Sequence, residues 1–135
     1  MNIPVIKKWV EMLRSGEYKQ GNGFLKRKIS LEEPTYCCLG VLSELAVKEG
    51  VIPEPEEINE SFFYGRKIGT NGSRYYLCEE VMKWSGVDSH GGYDPLPGNG
   101  GFTKFLTSDN DRGKNFNEIA DIIENNYLAT EKNSA

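Results

Sequence analysis

The chain has 135 residues, of which 38% are hydrophobic, and this length supports one domain with a hydrophobic core over residues 1–135. Its 16 basic and 20 acidic residues give a formal net charge of -4, which excludes a long-range attraction to DNA, RNA or an anionic membrane and confines any anion site to local charges. No apolar run approaches the roughly 20 residues that span a bilayer, and the N-terminal segment lacks a signal-peptide pattern, so we expect a cytoplasmic protein.

The composition also argues against a metal site or a disulfide framework. Three cysteines, two of them adjacent, and one histidine, His90, do not match the spacing of either. The stretch "DNDRG", residues 109–113, does not fit a calcium loop, because Ile119 or Ala120 falls where the bidentate glutamate is needed. We therefore expect free thiols, no metal and no cofactor.

The N-terminal quarter predicts a helix followed by a short strand. Pro4 suits the first turn of the helix, and one helical stripe is apolar: Val5, Ile6, Trp9, Met12 and Leu13. In the strand, "FLKRKIS", strict alternation places Arg27 on the face of Leu25 and Ile29, opposite Phe24. An arginine on an apolar face needs a partner.

The segment "TYCCLGVLSELAVKEG", residues 35–50, predicts the central helix of the core, because more than half of its circumference is apolar. Gly40 in its interior costs roughly 1 kcal/mol relative to alanine, which indicates a close crossing by another backbone segment. The acidic, proline-containing residues 51–60 then predict a linker.

Residues 61–101 predict a hairpin, a short helix and a loop. Aromatic and branched residues flank "GTNGS", and Asn71–Gly72 predicts the turn of an antiparallel hairpin within residues 61–77. Residues 78–86 predict at most two helical turns. The glycine-rich residues 87–101 predict a loop without a regular element.

The last helix has the clearest signals. Asn115 and Glu118 have the spacing of a capping box. One helical stripe is apolar: Phe116, Ile119, Ala120, Ile123 and Tyr127. Residues 128–135, after the helix, are expected to fray. The predicted fold class is therefore α+β, a single domain with a small antiparallel sheet packed by two helices from the N-terminal half and a C-terminal helix.

Two cations, Arg112 and Lys114, lie just before this last helix, where the helix N-terminus already presents partial positive charge. Two explanations are open from the sequence. Asp109 and Asp111 neutralise the cations locally, which makes the cluster a solvated surface, or a bound anion compensates them.

The second explanation predicts a nucleotide pocket. Diphosphate oxygens favour arginine forks and helix N–H groups, and a base favours an aromatic face with amide or carboxylate groups at its edge. His90 has no partner fixed by spacing, so we predict a binding protein rather than an enzyme. The residues predicted to bind the ligand are Arg112, Asn110, Asp111, Lys114, Arg27, Asn99 and Phe102.

The chain resembles a family of small phage-encoded proteins in three stretches: "WVEMLRSGEYKQG", "YCCLGVLSELA" and "NDRGKNFNEIADIIE". The family is the phage anti-defence family that blocks Thoeris immunity by sequestering, without cleaving, the cyclic ADP-ribose isomer made by a TIR-domain protein. The resemblance implies the same role here, in the cytoplasm of an infected bacterium. It assigns ligand binding to Asn110, Asp111 and Arg112, with Lys114 beside them, whereas Arg27, Asn99 and Phe102 rest on chemistry alone.

The resemblance also implies a homo-oligomer with pockets near subunit contacts. Some relatives hold cyclic oligonucleotides at a separate site, and whether such a site exists here stays open, whereas no nucleic acid polymer and no membrane is expected as a partner. Two other functions stay open as well. One is an enzyme that hydrolyses a cyclic nucleotide with Asp111 or Asp94 and His90, and the other is a phage protein that binds a host protein through the hairpin aromatics.

Overall fold

The computed structural model describes residues 2–65, 74–87, 93–94 and 104–128. Within them lie five helices: α1 Ile3–Arg14, α2 Cys38–Lys48, α3 Glu79–Ser85, α4 Leu106–Asp111 and α5 Phe116–Tyr127. The same residues form seven strands: β1 Lys19–Gln20, β2 Lys26–Arg27, β3 Thr35–Tyr36, β4 Glu56–Ile58, β5 Ser61–Phe63, β6 Tyr93–Asp94 and β7 Lys104–Phe105.

The predicted α+β class is confirmed. Five strands form one sheet in the order β1-β3-β2-β5-β4, and β6 pairs with β7 in a second, two-stranded sheet. The pairs are antiparallel except β1 with β3, so the main sheet is mixed at one edge. None of the described helices is long and apolar enough to cross a membrane.

Helix α1 forms where its apolar stripe predicts it and packs against α2 and α5. Asn2 caps its start by accepting a hydrogen bond from Val5, and Pro4 lies in the first turn. Trp9 is fully buried, and its ring N–H donates to the backbone oxygen of Cys38 over 2.9 Å. The first helix is therefore tied to the start of the second.

Helix α2 begins three residues later than predicted, at Cys38, because Thr35 and Tyr36 pair with β1 and β2. The predicted close crossing at Gly40 is confirmed. A Cβ atom at this position would lie 1.7 Å from the backbone oxygen of Leu25, so only glycine lets the two backbones approach so closely. The crossing places α2 directly against the chain that enters β2.

The predicted linker at residues 51–60 is partly wrong, because β4 and β5 form an antiparallel hairpin within and after it. Asn59 and Glu60 both have positive φ, at 51° and 70°, as the two central residues of a type I′ turn require. Glu56 and Glu57 are exposed, so β4 lacks the apolar alternation that marks a strand. The turn predicted at Asn71–Gly72 lies outside the described residues, but the hairpin predicted within residues 61–77 is wrong where it is described, because Ser61–Phe63 pairs with β4 and β2 and residues 74–77 lie in no strand.

Three further predictions concern the C-terminal half. Helix α3 is confirmed and ends at Gly86 in the left-handed conformation. The loop predicted over residues 87–101 is wrong at Tyr93–Asp94, which form β6, and most of the rest lies outside the described residues. Leu128, the first residue of the segment expected to fray, is only 5% exposed and packs in the core, whereas residues 129–135 lie outside the described part.

The capping box of α5 is confirmed. The side chain of Asn115 accepts from the N–H of Glu118 over 2.8 Å, and the Glu118 carboxylate accepts from the N–H of Asn115 over 3.1 Å. The predicted stripe faces the core: Phe116, Ile119, Ala120 and Ile123 are buried, and Tyr127 is partly buried.

Candidate functional site

Helix α4, which the sequence did not predict, changes the electrostatics before α5. Arg112 follows the last residue of α4, and its N–H donates to the Ser108 oxygen over 3.0 Å. A cation at a helix C-terminus is favoured by the helix dipole. The position of Arg112 is therefore less unfavourable than the sequence suggested, because the end of one helix meets the start of the next.

The acidic neighbours do not neutralise the two cations by direct pairing. Among the described residues, neither Arg112 nor Lys114 forms an ion pair. Arg112 is exposed and Lys114 is half-buried. Asp109 is buried, and Asp111 accepts a backbone hydrogen bond from Gly23 over 3.0 Å. Both cations are left available to an external anion.

Asn110 is fully buried, and both ends of its side-chain amide bind the protein itself. Its oxygen accepts from Gln20 over 3.0 Å and from the N–H of Cys38 over 3.2 Å. Its NH₂ group donates to the backbone oxygen of Gly21 over 2.8 Å and to the side chain of Asn22 over 3.4 Å. The hydrogen-bonding capacity predicted for a ligand is thus used to hold the β1–β2 loop and the start of α2.

A pocket of about 400 Å³ opens next to this cluster. Its volume lies within the roughly 300–1,000 Å³ of ligand-binding pockets. The pocket is lined by two tyrosines, two residues with aliphatic hydroxyl groups, one carboxylate, one cysteine and one loop glycine: Tyr75, Tyr76, Thr107, Ser108, Asp111, Cys37 and Gly23.

Backbone hydrogen bonds join the segments that form the pocket walls. The N–H of Leu25 donates to the Arg74 oxygen over 2.8 Å, which places the two tyrosines beside the chain entering β2. The N–H of Cys37 donates to the Phe24 oxygen over 3.2 Å, which fixes the start of α2 to the same segment. The pocket therefore lies where four segments distant in sequence converge.

Beside the pocket, two arginines and three aromatic rings form an arginine–aromatic stack, made of Arg27, Phe24, Tyr75, Arg74 and Phe63. The Arg27 guanidinium lies 4.9 Å from the Phe24 ring centroid, and this ring is 5.2 Å from that of Tyr75. Arg74 lies 4.8 Å from the Tyr75 centroid and 5.4 Å from that of Phe63. Neither arginine forms an ion pair among the described residues.

The stack corrects one prediction about Arg27. The predicted alternation placed its side chain on the face opposite Phe24, but the regular strand spans only Lys26 and Arg27, and the guanidinium lies on the Phe24 ring. The partner that Arg27 needs is therefore an aromatic face, which leaves the N–H groups of the guanidinium free to meet an acceptor.

The thiol in the pocket wall is held in its neutral form. Burial raises the pKa of Cys37 from its ordinary value of 9.0 to about 11. Burial also raises the pKa of the adjacent Cys38. Because the thiolate is the nucleophilic form of cysteine, Cys37 is a neutral, weakly polar wall at pH 7.

The structure brings together part of the predicted site. Asp111 lines the pocket, with the buried Asn110 before it in the chain and Arg112 after it, and Arg27 belongs to the stack that includes a pocket tyrosine. Asn99 and Phe102 lie outside the described residues. Arg74, Tyr75 and Tyr76 are not among the residues predicted to bind the ligand, although their adjacency in "SRYYL" combines a cation with two rings. Their exposure, 41% for Tyr75 and 53% for Tyr76, is the structural signal.

Fold and site together define a small α+β protein with a concave pocket that exposes aromatic, hydroxyl and carboxylate groups. The chain belongs to the DUF8296 family, described as a domain of unknown function, whose family model matches residues 1–127. No curated protein and no solved structure is significantly similar to this chain.

Proposed function

We propose that this protein binds a nucleotide in the pocket described above and holds it without cleaving it. The observation that carries the proposal is the double role of Tyr75, which lines the pocket and also stacks against Arg74. An exposed ring in a concave site offers a base a face to stack on, and an arginine without a carboxylate partner beside it offers donors to phosphate.

The other groups fit the same ligand. Asp111 accepts from Gly23 through one carboxylate oxygen, and the second oxygen is available to a ribose hydroxyl or a base amino group. Arg112 follows the pocket residue Asp111 in the chain, and Arg74 stacks on the pocket residue Tyr75, so each brings a positive charge next to a residue of the pocket wall. A nucleoside with attached phosphates meets both kinds of group.

The class of nucleotide rests on the family resemblance of the three sequence stretches. We propose a cyclic ADP-ribose-type signal, so that the protein acts as a phage-encoded sponge in the cytoplasm of an infected cell and blocks TIR-dependent Thoeris immunity. The neutral state of Cys37 supports sequestration over covalent chemistry in this pocket. We further propose a homo-oligomer, as the resemblance implies.

The test is to load the protein with cyclic ADP-ribose, remove free ligand, denature the protein by heat and analyse the released material by mass spectrometry. Release of intact ligand in amounts that match the protein supports sequestration. Release of hydrolysis products would show the alternative, an enzyme. Absence of binding across a panel of cyclic and linear nucleotides in a thermal-shift assay would favour a protein-binding role for the exposed tyrosines.

A further inference from the structure

We infer that Asn110 is a positioning residue that sets the shape of the pocket by clamping the β1–β2 loop, rather than a residue that touches the ligand. This inference rests on the proposed function, because it says how the proposed binding site is kept in its binding shape. The clamp consists of the side chains of Asn110 and Asp111 with their hydrogen bonds to Gly21, Asn22 and Gly23.

The loop side of the clamp consists of three consecutive residues. Asn110 holds the oxygen of Gly21 and the side chain of Asn22, and Asp111 holds the N–H of Gly23. Gly23 lines the pocket and has a φ of 79°, a conformation that only glycine adopts without strain. A loop containing such residues has many conformations in the absence of external hydrogen bonds, and the clamp selects one of them.

The helix side of the clamp fixes the opposite wall. The oxygen of Asn110 accepts from the N–H of Cys38, the first residue of α2, and Cys37 beside it lines the pocket. Gln20 donates both to this oxygen and to the backbone oxygen of Lys114 over 2.7 Å, so it orients the amide from the side of β1. One buried amide thus connects the loop wall, the helix wall and the end of α4.

One substitution can separate the role of the Asn110 side-chain oxygen from that of its NH₂ group. Asn110→Asp keeps an oxygen for Cys38 and Gln20 but replaces the NH₂ group that donates to Gly21 and Asn22. The inference predicts a specific pattern: the loop wall loosens while the hydrogen bond to Cys38 remains. A purely structural role predicts loosening of both walls in proportion to the loss of global stability.

The matched control is Ser85→Ala. Ser85 is also fully buried and polar, and its hydroxyl donates to the Val81 oxygen over 2.7 Å and accepts from the N–H of Val87 over 3.2 Å. It lies at the end of α3 and does not line the pocket. Its loss lowers stability without acting on the clamp.

The experiment measures two quantities on the full chain at a temperature where each variant is folded: amide hydrogen exchange at Gly23 and Cys38 by NMR, and the affinity for cyclic ADP-ribose by calorimetry. Asn110→Asp is expected to accelerate exchange at Gly23 relative to Cys38 and to weaken binding by about tenfold or more, since a preorganised wall is lost. Ser85→Ala is expected to leave the affinity within about twofold of the parent, because distant sites act independently.

The outcomes separate the inference from the proposed function. If the parent binds cyclic ADP-ribose and folded Asn110→Asp binds it equally well, or exchange at Gly23 does not change, the inference is overturned and the proposed function stands. If the parent binds no nucleotide, the proposed function fails first and the inference about its pocket falls with it. Should Asn110→Asp not fold, Gln20→Met, which removes the donor that orients the amide, must reproduce faster exchange at Gly23 and weaker binding, and otherwise the inference is overturned.

Discussion

The end of α4 and the start of α5 each carry an asparagine, and the two are held in opposite ways. Asn115 exchanges hydrogen bonds with Glu118, three positions away. Asn110 bonds to residues between 72 and 90 positions away in the chain. The same side chain therefore serves as a local cap at one helix end and as a long-range connector at the other.

The two kinds of contact differ in how much of the fold they require. The capping box is exposed and forms from four consecutive residues, so it acts on α5 alone. The Asn110 amide is fully buried and needs β1, the β1–β2 loop and α2 in place before its hydrogen bonds exist. The candidate pocket depends on this second kind of contact.

The first prediction concerns the close contact between α2 and the β1–β2 loop at Gly40. Gly40→Ala would place a Cβ atom 1.7 Å from the Leu25 oxygen, so the helix or the loop must shift. We expect a loss of about 3 kcal/mol in the free energy of unfolding, the upper range for overpacking, measured by urea denaturation. Ser43→Ala, one turn further along α2, removes only a hydrogen bond to Leu39 and is expected to cost about 1 kcal/mol. Equal stability of Gly40→Ala and the parent would contradict the close crossing.

The second prediction compares the two asparagines directly. Asn110→Ala leaves the buried N–H of Cys38 and the oxygen of Gly21 without this partner, so we expect a loss of about 2 kcal/mol. Asn115→Ala removes an exposed N-cap and is expected to cost about 1 kcal/mol. Urea denaturation measures both. Equal costs, or a larger cost at Asn115, would mean that the long-range contacts of Asn110 contribute little.

The third prediction uses alkaline pH, which acts on the side of α2 and not on the capping box. Burial raises the pKa of Cys37 from 9.0 to about 11 and that of Tyr36 from 10.0 to about 12. Burial, with the nearby Glu44 carboxylate, also raises the pKa of Tyr64. Below pH 9 these side chains are neutral in both the folded and the unfolded chain. The stability that they contribute in the neutral form is therefore fully present in this range.

As the pH rises above 9, these groups ionise first in the unfolded chain. Ionisation lowers the free energy of the unfolded chain, and the folded chain does not receive the same stabilisation. Stability is therefore expected to fall from pH 9 upward, with a further fall from pH 10 to 12. Unfolding free energies measured at a series of pH values test this. Cys37→Ala should remove part of the fall between pH 9 and 11, and an unchanged profile in this variant would contradict the assignment.

The smallest expected effect on stability is that of Arg112, which lies between the two helix ends. It is exposed and forms no ion pair among the described residues, so Arg112→Ala is expected to change stability by less than about 0.5 kcal/mol. If Arg112 meets ligand phosphate as proposed, binding of cyclic ADP-ribose is nevertheless lost. The matched control is Lys83→Ala, which removes an equal charge from an exposed pair on α3. Parent-like affinity of Arg112→Ala would show that the phosphates lie elsewhere.

Much of the fold could be predicted because its signals are local. The stripes of α1 and α5, the capping box at Asn115 and the crossing at Gly40 all follow from residues within a few positions of one another. The strands of two residues could not be predicted from alternation, because a period of two has no meaning over such a length. Strand β4 was hidden by its exposed acidic residues, and α4 has only six residues, too few for a helical stripe.

The site could be predicted only in part for a related reason. The binding roles of Asp111 and Arg112 stay predictions, and the signal for Arg112, a pair of cations just before a helix, lies in one short stretch. The pocket walls come from Gly23, Cys37 and Tyr75, and no spacing in the sequence connects them. The binding role first assigned to Asn110 stays a prediction, and its four internal hydrogen bonds favour the positioning role instead.

Calorimetric titration of cyclic ADP-ribose into the parent, Tyr75→Ala and Tyr75→Phe tests whether the pocket binds a nucleotide. Because base stacking on an aromatic ring contributes about 1–3 kcal/mol, we predict saturable binding to the parent, binding weakened by about tenfold or more in Tyr75→Ala, and most of the affinity retained in Tyr75→Phe. Equal affinity of Tyr75→Ala and the parent, or no heat of binding with the parent, would contradict a nucleotide site at this pocket.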